Sequence, residues 1–547
     1  MSRLIVLSNR VKMPDNTPMA GGLAIALHDV LRGGSVIWMG WNGEVGAASN
    51  GDYSHEFSSS EQSALAKSER ANANGQEANL TITYMTTALT PEQHQHFYCG
   101  FANNVLWPLL HEQTDLISQE SEDYLGYQSV NLLFARQLKK IIQPDDVIWV
   151  HDYHFLSVAY YCRQLGMNNR IGFFLHIPFV ALPFWQTLNQ SAELIRHLAH
   201  YDVLGTQTQL DKANCVAVFQ HYLADDIVKD EQSVAFYNQL PSTKAGSALL
   251  FNLQLGAPHC LAINAYPIGV NVLRIQQHVM SLANHLPSYS TNHSKKHHRE
   301  KNAIKPAAQQ IIAVDRIDYS KGLLKRISAY RKFLQQYPVY QHQLKLLQIA
   351  CPSRLDLPVY QQLYSNVKQS VHDLNQYFSS RQSHQEAMKA DSFDAKDIKK
   401  NWQAISYSET VVSQEALMRA YWHSDVGWVN SFKDGMNLVA KEYIAAQNPD
   451  NPGVLLLSRY AGAAEQMQAA VIIDPHTPQS IINGLQTALT MPLAERKSRY
   501  QTLLQGLEKD DLYAWQQHFL KDLYDSKNYQ TAGLPLATSQ TDQMSGS

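Results

Sequence analysis

Two segments hold the residues best suited to chemistry: Arg316-Ile317-Asp318-Tyr319-Ser320-Lys321-Gly322, and Lys433-Asp434-Gly435-Met436-Asn437-Leu438-Val439-Ala440-Lys441-Glu442-Tyr443. A diphosphate calls for a planar guanidinium that grips two oxygens and a mobile ammonium that follows charge onto a leaving group; Arg316 and Lys321 supply that pair. In the later segment Gly435 permits a tight turn, and the amides after it open a helix whose N-terminus favours anions. Glu442 lies one turn beyond Leu438, placed to accept hydrogen bonds from ribose hydroxyls. Either half alone is weak, because strand, loop and basic helix is a common pattern and a helical Glu is usually solvated. Together they describe a nucleotide-sugar site.

The N-terminal half carries its own candidates. Ser8-Asn9-Arg10 follows a first apolar run, and Ala20-Gly21-Gly22-Leu23 opens a helix as a loop approaching a phosphate would, although a Gly-Gly pair alone is only a turn. Trp38-Met39-Gly40-Trp41 puts aromatic surface near a strand end, where Trp41 either stacks on a sugar or fills a core. His151-Asp152-Tyr153-His154 resembles a metal cluster, but strand geometry turns alternate side chains apart, so Asp152 suits sugar hydroxyls better. His176 ends the apolar run Phe173-Phe174-Leu175, either as a satisfied core histidine or as a group at a sheet's carboxyl edge.

The elements that position these residues read as strands alternating with helices. Leu4 to Leu7 precedes a helix from Gly21 to Leu31, and Val147 to Val150 precedes one from Phe155 to Leu165, with Ile171 to Leu175 and Tyr201 to Leu204 following. A second series runs through Ile311 to Val314, Leu344 to Ala350, Val426 to Val429, Val454 to Leu457 and Ala470 to Ile473. This predicts an α/β protein with two Rossmann-like, doubly wound domains facing across a cleft. Residues 1–270 form the acceptor domain and 271–505 the nucleotide-sugar domain, with polar insertions near 284–305 and 379–400. A helical segment at 506–528 packs back on the first domain, and 529–547 is a Ser, Thr and Gln rich disordered tail. His293, His297 and His298 fall in the first insertion with irregular spacing, which fits a solvated linker better than a metal site.

Composition narrows the class. The chain has 547 residues, and its 45 basic and 48 acidic side chains leave a net charge of -3, which advertises neither a nucleic-acid nor a membrane partner. Cys99, Cys162, Cys215, Cys260 and Cys351 are scattered and odd in number, as expected of free thiols in the cytoplasm. The apolar run near the N-terminus is too short for a signal peptide, and no run approaches the ~18 residues that would suggest a membrane span.

The ordered motifs SNR, AGGL, WMGW, FANNVLWP, HDYH, FFLHIPF, YDVLGTQT, YPIGV, DRIDYSKG and KDGMNLVAKEY resemble those of the alpha,alpha-trehalose-phosphate synthases, retaining glucosyltransferases of the GT-B fold. The resemblance implies transfer of glucose from UDP-glucose to glucose 6-phosphate, with neither cofactor nor metal. It places Arg10, Trp41, Tyr98, Trp107, Asp152 and Arg354 on the acceptor side, Arg10 and Arg354 meeting the phosphate. Gly21, Gly22, His176, Arg316, Lys321, Asp434, Gly435, Met436, Asn437, Leu438, Val439 and Glu442 fall on the donor side. Arg316, Lys321, Asp152 and His176 are the residues nearest the chemistry. It further implies a homo-oligomer and coupling to a trehalose-phosphate phosphatase. Lys433 stands where the family usually has Arg, Asp315 where it usually has Glu, residues 379–408 fit the pattern poorly, and the stretch 225–265 is longer than usual.

Two other readings are open to such a sequence. A glucosylglycerol-phosphate synthase would use a smaller acceptor, against which Tyr98, Trp107 and Arg354 argue; a silent sugar-phosphate sensor would not need both diphosphate cations and Glu442.

Overall fold

The structure, a computed structural model, describes residues 3–11, 36–46, 55–58, 82–229, 247–253, 258–285, 309–387 and 402–526. Gly21, Gly22 and the helix expected from Gly21 to Leu31 lie outside the described residues, as do His293, His297, His298, most of both polar insertions and the segment 529–547.

Long runs of Val, Ile and Leu without polar alternation make strands buried on both faces, and such strands assemble as parallel sheets covered by helices. The first sheet contains β1 (Leu4–Arg10), β2 (Val36–Val45), β3 (His55–Ser58), β4 (Ile82–Leu89), β5 (Val147–His151), β6 (Arg170–Phe174), β7 (Val203–Thr206), β8 (Ser247–Phe251) and β9 (His259–Ala265). Their order is β3-β4-β2-β1-β5-β6-β7-β9-β8, parallel except where β3 and β8 pair antiparallel at the two edges. The second sheet is parallel throughout: β10 (Gln309–Arg316), β11 (Leu344–Cys351), β12 (Ile405–Ser408), β13 (Val426–Val429), β14 (Val454–Ser458) and β15 (Val471–Ile473), in the order β12-β11-β10-β13-β14-β15.

Each sheet reverses its winding at one point, β1 beside β5 and β10 beside β13. Loops leaving neighbouring strands diverge there and open a crevice at the carboxyl edge. Arg10 ends β1 and Asp152 follows β5; Arg316 ends β10, and Lys321 and Asp434 lie in the loops after β10 and β13. The sheets thus deliver the chemistry-bearing residues to two facing crevices.

Two details differ from the sequence-based expectation, and a third has no counterpart in it. The helix expected from Phe155 starts later, at Val158–Gln164, after a tight turn at Tyr153–Phe155. The polar stretch beginning at 379 first continues the long helix Pro358–Ala387. Residues His94–Leu106 wind as a π-helix, with i→i+5 hydrogen bonds, running into Trp107–Leu110.

The last helix, Leu512–Asp525, is capped by Asp511, whose side chain accepts from the Ala514 amide at 2.8 Å. It follows the helices of the second sheet yet lies under the first. Trp515 and Phe519 pack on Trp149 at 5.1 and 5.0 Å, and Gly172 on β6 leaves room, since a Cβ there would meet the Phe519 ring at 2.8 Å. Among the described residues no helix is long and apolar enough to cross a membrane.

Candidate active site

On the second sheet β10 ends at the exposed Arg316. Asp318 then caps a short turn, its side chain accepting from the Ser320 amide at 3.0 Å, and Gly322 at φ +63° starts the helix Leu323–Gln336. This geometry aims Lys321 at the loop after β13, where its Nζ donates to Asp434 Oδ2 at 2.5 Å. The same oxygen accepts from Ser431 at 3.0 Å and Asn437 at 2.9 Å. Burial raises the Asp434 carboxyl, but Lys321 and these donors outweigh it, and the group titrates below its ordinary value.

Asn437, at φ +73°, caps the helix Leu438–Ala445, its side chain accepting from the Ala440 amide at 3.3 Å. The amides of Leu438 and Val439 therefore stand at a helix N-terminus beside Lys321, an arrangement that attracts an anion. Glu442 is half-buried one turn further. Burial pushes its carboxyl up to about 7, and Tyr421 OH approaches it at 3.5 Å.

Gly435 is needed for a reason other than the turn expected of it. Its φ is not positive; instead, a Cβ at this position would lie 2.1 Å from the carbonyl oxygen of His176 in the other half of the molecule. The absence of a side chain lets the two halves touch. Lys433 makes a second bridge, to Glu112 at 2.7 Å.

On the first sheet Asp152 is not part of the strand. It leaves β5 at φ +73°, donates its amide to Phe174 O at 2.8 Å and accepts from the His176 amide at 3.3 Å. Burial raises its carboxyl to about 6. His151 turns toward His176, with Nδ1 and Nε2 at 3.0 Å, and desolvation keeps both rings neutral, His176 at about 3. His154 instead stacks on Tyr98, so His151 and His154 are directed to different partners and the segment gathers no metal-type donor set among the described residues. The His, Cys and carboxylate donors that do converge among the described residues are His94, Cys99 and Asp356, and His96, Glu120 and Asp123.

Trp107 is buried, and its ring forms a floor under two guanidinium groups, Arg354 at 3.8 Å and Arg316 at 5.8 Å. Arg354, at φ +51°, donates to Asp318 at 3.0 Å and Tyr360 OH at 2.7 Å in its own half, and to Tyr153 OH at 3.2 Å in the other. Burial alone would raise Asp318; Arg354, Arg316, His111 and Lys321 more than offset it and hold the carboxyl at about 2. A second wall comprises Arg10, exposed 5.9 Å over Trp41, and Tyr98, 5.2 Å from Trp41. Trp41 is 4% exposed and donates to Glu44 O at 2.7 Å, so it backs this wall rather than offering an open face.

Asp318, His111, Tyr153, Tyr360 and Glu112 belong to the site although sequence reasoning did not single them out. Asp318 had a signal: a carboxylate between Arg316 and Lys321 in one short loop implies a charge network. Tyr360 and Glu112 had none, because their roles arise from contacts between distant segments.

The profile of glycosyltransferase family 20 matches residues 9–525. The chain belongs to this family. Among curated members of the family, the trehalose-6-phosphate synthase of Sodalis glossinidius is 34% identical over 526 residues, 96% of each chain. That of Cronobacter sakazakii is 35% identical over 527 residues, 96% of this chain and 95% of the relative. The structure of an alpha,alpha-trehalose-phosphate synthase (UDP-forming) from Burkholderia xenovorans in complex with glucose-6-phosphate superposes with a TM-score of 0.75 at 31% identity, covering 96% of this chain and all of that one. An Escherichia coli structure bound with UDP-2-fluoro glucose gives 0.72 at 31% identity over 95% of this chain and 99% of that one. The two-sheet architecture is therefore the GT-B fold of the family.

Proposed function

We infer that the protein is a retaining glucosyltransferase that moves glucose from UDP-glucose to glucose 6-phosphate, giving alpha,alpha-trehalose 6-phosphate and UDP. One observation carries this reading: a diphosphate-type site, with Arg316 and Lys321 beside the Asn437-capped helix, faces a hexose-phosphate-type site of Asp152, Tyr98, Trp107 and Arg354 within one cleft. The relatives that bind glucose-6-phosphate and UDP-2-fluoro glucose share the fold along nearly their whole length.

In this account Glu442 accepts from the ribose and Asp434 from the transferred glucose. Arg316, Lys321 and the helix N-terminus stabilise the diphosphate as the glycosidic bond breaks. They provide the positive charge that a divalent ion would otherwise supply, so turnover proceeds without a metal. Arg10 and Arg354 hold the acceptor phosphate and Asp152 orients acceptor hydroxyls, while an oxygen of the departing phosphate takes the acceptor proton on the same face, which retains configuration. His176, neutral and held by His151, packs beside the transferred sugar. The enzyme works in the cytoplasm, as a homo-oligomer, and passes its product to a phosphatase. The test is UDP release that depends on glucose 6-phosphate and is not supported by glycerol 3-phosphate. Preference for the smaller phosphate would favour the glucosylglycerol-phosphate reading instead.

A further inference from the structure

At the edge of the acceptor wall, outside the chemistry above, His94, Cys99 and Asp356 bring an imidazole nitrogen, a thiol sulfur and a carboxylate oxygen within 4.8 Å of one another. The first two are neighbours because of the helix they share. Its i→i+5 winding stacks residues five apart, whereas α-helical winding at 3.6 residues per turn would send them to different faces. Cys99 Sγ consequently lies 3.8 Å from His94 Nδ1 and 4.0 Å from Nε2. The His94 ring packs against Trp41 at 5.5 Å and Tyr98 at 5.3 Å.

Asp356 comes from the other half of the molecule, on the loop that carries Arg354 and just before the helix Pro358–Ala387. Beneath it, Cys99 packs with Leu357 and Tyr360 in a small apolar cluster of its own. The three donors therefore close across the domain boundary, two residues from the arginine assigned to the acceptor phosphate.

We propose that His94, Cys99 and Asp356 form a site for a soft divalent cation of the zinc class, and that its occupancy ties the two domains together beside the acceptor. One nitrogen, one sulfur and one carboxylate oxygen are a zinc-type donor set; Mg²⁺ and Ca²⁺ prefer oxygen alone. Three protein ligands leave a fourth position for water. The cation replaces no group of the transfer reaction. It opposes the opening that releases product, so it slows turnover.

The full-length protein is titrated with Co²⁺, followed by competition with Zn²⁺. The proposal expects one Co²⁺ per chain with a thiolate-to-cobalt charge-transfer band, displacement by Zn²⁺, and a Zn²⁺-dependent fall in kcat that EDTA reverses. Cys99→Ser should abolish the band and the inhibition. Asp356→Asn, at an exposed side chain, should weaken Co²⁺ binding about tenfold or more while metal-free turnover is kept. The absence of a band, a band that survives in Cys99→Ser, or unchanged affinity in Asp356→Asn overturns it. Because the absorption readout is independent of glucosyl transfer, failure here and failure of the functional reading are distinguishable.

Discussion

Gly435 rests against the carbonyl of His176 so closely that a Cβ would come within 2.1 Å of that oxygen and 2.9 Å of the Ile177 Cα. Both neighbours are backbone and cannot rotate away. The contact joins the donor loop of one half to the neighbouring ends of β5 and β6, after which Asp152 and His176 lie, in the other. Gly435→Ala should thus hold the halves apart. Small-angle scattering with UDP and glucose 6-phosphate should report a larger radius of gyration than for the unmodified protein, and kcat should fall at least about tenfold because the site no longer assembles. Unchanged compaction and rate would show that this contact does not govern closure.

Lys321 donates to Asp434 at 2.5 Å, which holds its ammonium beside the helix N-terminus where the leaving group takes on charge. An interaction that strengthens as charge develops acts on kcat more than on acceptor binding. Lys321→Ala should lower kcat by about a hundredfold or more, with a much smaller change in KM for glucose 6-phosphate. Wild-type kcat with only a raised acceptor KM would contradict the leaving-group role.

Arg354 has two consequences to separate. Loss of one charge-assisted phosphate contact should weaken glucose 6-phosphate by about 1.5 to 3 kcal/mol and leave UDP affinity nearly unchanged. Arg354→Ala also strands the fully buried Asp318 without its nearest cation, so Tm should fall as well. Adding Asp318→Asn should recover much of the Tm but none of the acceptor affinity. Calorimetry that finds equal losses for both ligands would refute the assignment.

The structure and the sequence agree where information is local. Unbroken apolar runs at Val147, Ile311, Val426 and Val454 announce buried strands, because parallel strands covered on both faces tolerate no polar alternation. The Asn437-capped helix is equally legible, since its polar loop and apolar run adjoin in the chain. What stayed hidden is non-local. The Arg354 to Tyr153 hydrogen bond and the Glu112 to Lys433 bridge each depend on which segments the fold brings together. The π-helical winding at His94 was invisible for another reason: its residues carry no periodicity that separates i→i+5 from i→i+4 bonding. Gly435 was visible as a glycine, yet its purpose is set by a backbone on the opposite side of the cleft.

Glu442 makes donor binding pH-dependent with a defined sign. Burial pushes its carboxyl up to about 7. Ribose hydroxyls donate more strongly to the carboxylate than to the protonated carboxyl, so they favour the ionised form and lower the value in the complex. UDP-glucose binding should release a proton below this value, with affinity rising as pH increases toward about 7 and levelling above it. Glu442→Gln should bind more weakly and lose this slope. Calorimetry in buffers of different ionisation enthalpy measures the proton release, and an identical slope in the variant would exclude Glu442 as its source.

The central claim is that the two facing crevices form one transferase site requiring both substrates and no metal. UDP release is measured with UDP-glucose in EDTA, with and without glucose 6-phosphate. The account predicts rapid release only when the acceptor is present, accompanied by a phosphorylated disaccharide that lacks a reducing end. Release that ignores the acceptor, or activity lost in EDTA and restored by a divalent ion, would contradict it.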